Sequence, residues 1–107
     1  MVRCVDGNDV AAISAAQGHS NLTNHGLVEA SFGNGVYLDA GHNLLENHGS
    51  IHGGSNGLSL GSSPGFSDVV MNCGTISGGG SGTGGLDINS AIHLVTSSSI
   101  IFNSGTI

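Results

Sequence analysis

The chain has 107 residues, 20 of them Gly, with 7% charged, 4% aromatic and a formal net charge of −6 at pH 7. That length makes one domain, and so few aromatics exclude a thick aromatic core. Arg3 is the only Lys or Arg, which excludes nucleic acid and anionic membrane surfaces as partners, because phosphate contacts need those side chains.

A mean hydropathy of +0.18 with few charges argues for a folded chain. No run of 18 apolar residues could span a bilayer. Residues 1–20 carry neither a charged leader nor a continuous apolar stretch, so no signal peptide is read within this chain. Export would then use a signal lying upstream or a route that is not N-terminal.

In chain order, the first recurring elements are Ile13-Ser14-Ala15, Gly18-His19 and the frame Leu22-Thr23-Asn24-His25-Gly26-Leu27-Val28. The next unit repeats them without a gap, as Val36-Tyr37-Leu38, Gly41-His42 and Leu45-Glu46-Asn47-His48-Gly49-Ser50-Ile51. The third has Leu58-Ser59-Leu60, an insertion around Gly61 to Gly65, then Val70-Met71-Asn72-Cys73-Gly74-Thr75-Ile76. A Gly/Ser loop from Gly78 to Gly85 leads to the fourth, with Ile92-His93-Leu94 in the place of Val36-Tyr37-Leu38. It closes on Ile101-Phe102-Asn103-Ser104-Gly105-Thr106-Ile107. Val5-Asp6-Gly7 aligns with Ile51-His52-Gly53. The units are therefore approximately 5–28, 29–51, 52–76 and 77–107, and a period of this size marks a solenoid.

Each unit has short stretches that alternate apolar and polar residues, the pattern of strands. Alternation puts Leu45, Asn47, Gly49 and Ile51 on the inner face of one strand, with Glu46, His48, Ser50 and His52 outside. Inward Asn side chains at the same place in every unit can hydrogen-bond from rung to rung as an amide ladder. With Gly this frequent, no helical stripe survives. The expected fold is all-β: a single-stranded parallel β-helix of about four coils, right-handed as most β-solenoids are, rising about 4.8 Å per coil.

Frames of the form apolar-x-Asn-x-Gly-x-Ile-x-Gly, here Leu45 to Gly53 and Val70 to Gly78, resemble the passenger-domain repeats of bacterial autotransporters and related large secreted adhesins. The resemblance spans roughly residues 5–107. It implies an exported β-helical stalk at the cell surface or beyond it. It carries no functional residue onto this chain, which lacks that family's signal peptide and membrane barrel.

Six histidines invite a metal reading. His25 and His48 fall in one outward column, as do His19 and His42. His48 and His52 share a strand face, and Cys73 continues the His25–His48 column. A structural zinc site wants four ligands, however, and no further Cys or carboxylate completes the set, so solvated columns are the stronger reading and no cofactor is expected. The stretch Gly79 to Ile88 resembles a calcium-binding nonapeptide with its Asp displaced, and one such copy reads better as a flexible loop.

Glu29, Asp39, Glu46, Asp68 and Asp87 are scattered over the repeat, which disfavours the paired acids of a polysaccharide lyase or hydrolase. Glu46 and His48 are the one acid–base pair on offer. Cys4 and Cys73, about three rungs apart or roughly 14 Å, are expected to be free thiols. The function that follows is structural, a stalk or scaffold acting through shape and stacking and self-associating end to end. Glycan binding or cleavage on a lateral face is the alternative.

Overall fold

The computed structural model describes residues 2–4, 11–61, 67–79, 91–94 and 99–107. It is all-β, with no helix among the described residues. Its strands are β1 (Val2–Cys4), β2 (Ala11–Ala15), β3 (Asn21–Asn24), β4 (Leu27–Ala30), β5 (Asn34–Leu38) and β6 (Leu44–Asn47). They continue as β7 (Ser50–Gly53), β8 (Leu58–Leu60), β9 (Val69–Asn72), β10 (Thr75–Gly78), β11 (Ile92–Leu94) and β12 (Ile100–Asn103). They form three four-stranded parallel sheets, β1-β4-β7-β10, β2-β5-β8-β11 and β3-β6-β9-β12. The chain visits the sheets in rotation, so every strand pairs with the one three before it.

Register follows the repeat. Leu22, Leu45, Val70 and Ile101 are paired in one column, and Val36, Leu58 and Ile92 in another. Side chains alternate, so one apolar residue in two points between the sheets. The resulting core is thin and aliphatic, with Val28, Val36, Leu38, Leu45, Ile51, Leu58, Leu60, Val70 and Ile76 in one cluster.

Two expectations need correction. Leu22 to Val28 and its counterparts are not single strands: the chain turns between Asn and Gly, giving β3 and β4, β6 and β7, β9 and β10. Asn47 and Ile51 are both fully buried, but they belong to different sheets, and Gly49 sits half-exposed at the corner between them. The register of the first strand also differs. Val2, not Val5, pairs with Val28 in the Ile51 column, which places Cys4 beside Ala30. The insertion around Gly61 to Gly65 and the loop from Gly78 to Gly85 fall largely outside the described residues, as does Val5-Asp6-Gly7.

The corner glycines are there because backbones stack closely. A Cβ on Gly49 would run into the Gly26 carbonyl, one on Gly74 into Gly49, and one on Gly105 into Gly74. The corner's N–H groups instead bond back to the preceding circuit: His48 N donates to Asn24 O at 2.8 Å, Cys73 N to Asn47 O at 2.8 Å, and Ser104 N to Asn72 O at 2.9 Å.

Candidate functional site

The interior polar groups lie in two columns that flank the third sheet. At its end, each Asn Nδ2 donates to Oδ1 of the Asn one circuit on, Asn24 to Asn47, Asn47 to Asn72 and Asn72 to Asn103, all at 2.8 Å. The same amides donate to the carbonyls of Ser50, Thr75 and Thr106 on the following circuit, at 3.0–3.1 Å. This is the amide ladder that the Asn-x-Gly repeat predicts. It satisfies buried groups that would otherwise be costly.

Four residues before each ladder Asn lies a second column, Ser20, Asn43, Asp68 and Ser99. Asn43 Oδ1 accepts Ser20 N at 3.0 Å, and Asp68 Oδ1 accepts both Asn43 N and Asn43 Nδ2 at 2.9 Å. Asn43 Nδ2 also reaches Asp39 O at 3.1 Å. Asp68 is fully buried, and its Oδ2 has no hydrogen-bond partner. The insertion before Asp68 hid its equivalence to Asn43 in the unit alignment, although counting back from Asn72 recovers it.

The histidines stack as their columns predict. The His25 and His48 rings lie 4.9 Å apart and 8° from parallel, and those of His19 and His42 4.9 Å apart and 15° from parallel. Ring lone pairs lie in the ring plane, so near-parallel stacked imidazoles aim their nitrogens side by side rather than at a shared ion. Among the described residues no three His, Cys, Asp or Glu side chains are grouped to hold a metal. Cys73 continues the corner above His48, as its position in the repeat predicts, and is an exposed free thiol. With Met71, Phe102 and Ser104 it lines an open groove of about 270 Å³.

His48 and His52 do not share a strand face, since the corner lies between them. Glu46, stacked between Thr23 and Met71 on the third sheet, likewise stands apart from the corner that carries His48. His52 lies on β7, where its Nδ1 and Ser77 Oγ are 2.9 Å apart. Glu29 pairs with His52 on the other side, so Glu29, His52 and Ser77 form one outward row on the first sheet. Aligning Val28, Ile51 and Ile76 in the sequence was enough to find this row, and only the scattered numbering of its members concealed it.

Tyr37 completes the polar groups. Burial raises its phenol above the ordinary value, and the charge of Asp39 and a hydrogen bond to it act in the same direction. Gly61, one circuit on from Asp39, leaves room there: a Cβ would stand 2.9 Å from Asp39 Oδ1 and 3.0 Å from the Tyr37 hydroxyl. Comparison with protein-family models, with curated proteins and with solved structures gives no match for this chain.

Proposed function

We propose that the three sheets are the walls of a single-stranded, right-handed parallel β-helix of about four coils, and that the chain is a stalk or scaffold segment of a secreted or surface-exposed bacterial protein. It works without catalysis, through its shape and its stacking. The observation that carries this reading is the unbroken column structure: each circuit repeats the apolar register and the Asn ladder of the one before, which builds length rather than a site. Resemblance of the frames at Leu45 to Gly53 and Val70 to Gly78 to autotransporter passenger repeats supports the cell-surface assignment. Antibody against the folded chain should label intact source cells without permeabilisation; labelling only after permeabilisation would overturn the assignment.

The row Glu29, His52 and Ser77 favours one second reading, a glycan-binding or glycan-degrading lateral face. Its flanking hydroxyl and imidazole can donate to and accept from sugar hydroxyls. A glycan array read with wild type and with His52→Gln tests it, and equal signals from both would remove this face from consideration.

A further inference from the structure

We propose that the amide ladder is a joint between chains: Asn103 of one copy seats on Asn24 of a second copy, and the third sheet runs on from β12 to β3. This rests on the stalk reading and names its partner, another copy of this chain, and the atoms that join. The two ends of the ladder are complementary. In the middle, Asn47 Nδ2 donates to Gly49 O, to Asn72 Oδ1 and to Thr75 O. Asn103 Nδ2 keeps only the first kind of bond, to Gly105 O at 3.2 Å. It lacks an Asn Oδ1 and a carbonyl of the column Leu27, Ser50, Thr75 and Thr106. The other end of the chain offers both. Asn24 Oδ1 takes Gly26 N at 3.0 Å and has a second lone pair, and Leu27 O lies in the required column. A Cβ on Gly49, Gly74 or Gly105 would meet the corner of the circuit before it, whereas one on Gly26 meets nothing within 4 Å, so the place of a preceding corner is open.

Seating β3 on β12 has a consequence for the first sheet. Thr106 pairs with Thr75, so Ile107 continues the column of Val2, Val28, Ile51 and Ile76. The incoming copy would bring its β1 to the rung that Thr106 and Ile107 already fill, and one of the two must leave. Thr106 N donates to Gly74 O at 2.8 Å, and Thr106 O accepts Ile76 N and Asn72 Nδ2, both at 3.0 Å. Displacing Thr106 would strand the buried amide of Asn72 and break the ladder at its joint. β1 carries no member of the ladder, so it is β1 of the incoming copy that gives way, and Ile107 takes the place of Val2 beside Val28. Until then β1 covers the edge of β4 in the free chain and guards it against other strands.

Disulfide trapping tests the joint, in full chains that also carry Cys4→Ala and Cys73→Ser. Equivalent corner residues lie one circuit apart, as the 4.9 Å between the His25 and His48 rings shows, which is within reach of a disulfide. An oxidised mixture of Ser104→Cys and His25→Cys chains should therefore give mixed dimers in excess of either homodimer. Thr106→Cys with Leu27→Cys should cross-link as well, and cross-linking of the first pair alone would overturn the displacement of β1. Light scattering gives a second reading. Asn103→Asp keeps the acceptor for Asn72 and loses the donor, so the concentration at which chains associate should rise about tenfold or more. Mixed dimers no more frequent than homodimers, equal association of Asn103→Asp and wild type, or a wild type that stays monomeric would overturn the joint. The stalk reading is decided separately, by antibody labelling of intact cells.

Discussion

At the scale of single residues, one side chain has different worth at different heights in the stack. Asn47 is fully buried, accepts from Asn24 and donates to Asn72 and Thr75. Asn103 is exposed, and its Nδ2 donates only to Gly105 O, at 3.2 Å. Asn47→Ala removes an acceptor from Asn24 and a donor from both Asn72 and Thr75, and should cost about 1–3 kcal/mol for each group left stranded. Asn103→Ala removes one acceptor from Asn72 Nδ2, which keeps Gly74 O and Thr106 O, and should cost about 0.5–1 kcal/mol, less than Asn47→Ala. Denaturant unfolding of the two variants checks the order, and equal losses would mean that the ladder does not stabilise the interior.

Tyr37 makes a pH prediction at the same scale. Its phenol is raised in the folded chain, so the folded state holds that proton more tightly than the unfolded state. Stability from this source is present below the ordinary phenol value, about 10, and is lost as pH rises through the higher folded value. Wild type should therefore lose stability above pH about 10 more steeply than Tyr37→Phe. Parallel slopes of melting temperature against pH would contradict the contribution of Asp39 and burial.

At the scale of elements, the corner between the third and first sheets is governed by how closely backbones approach. Gly49→Val places branched carbons against the Gly26 backbone and should cost at least the 1–3 kcal/mol typical of overpacking. The same change at Gly26 meets nothing within 4 Å and should leave the melting temperature near wild type. Similar losses at both positions would show that conformation, rather than stacking, demands glycine. The other corner, before the third sheet, works differently: Ala40, Gly41 and His42 run at φ of 66°, 79° and 57°, and Gly18 and His19 at 73° and 53°. Left-handed backbone at Gly18 and Gly41 is an ordinary use of glycine. At Ala40 nothing in the residue type announces it.

At the scale of the whole molecule, the columns are covered in the middle and uncovered at the last circuit. Leu38 and Leu60 are 1% and 0% exposed, whereas Leu94, which continues their column, is 41% exposed and Ile107 49%. On the last strand of the third sheet, Ile100 and Phe102 are also exposed, at 50% and 59%. Unpaired strand edges with apolar flanks are templates for another strand, and a contact that does not close on itself propagates. We therefore expect a mass in light scattering that rises with concentration. Gly26→Val, which adds bulk on the side from which a preceding circuit would stack, should suppress that rise while keeping its fold. A wild type that stays monomeric at high micromolar concentration would show the edges to be protected.

The residues by themselves determined the periodic part of this protein. Repetition of Leu-x-Asn-x-Gly at matched spacing, with alternation on either side, specifies parallel strands, the in-register apolar columns, the amide ladder and the histidine stacks. Each of these needs only that equivalent residues lie one circuit apart. Tertiary structure decided whatever depends on direction and approach. The turn that divides the Asn-x-Gly frame into two strands leaves the alternation of inward residues intact on both sides, so the pattern reads the same with or without it. The pairing of Val2 with Val28 was settled by hydrogen-bond register, where a short apolar pair offered more than one alignment. Asp68 came under Asn43 because an insertion is absorbed outside the column while the column itself continues. A linear reading counts the inserted residues, and the stacked backbone does not.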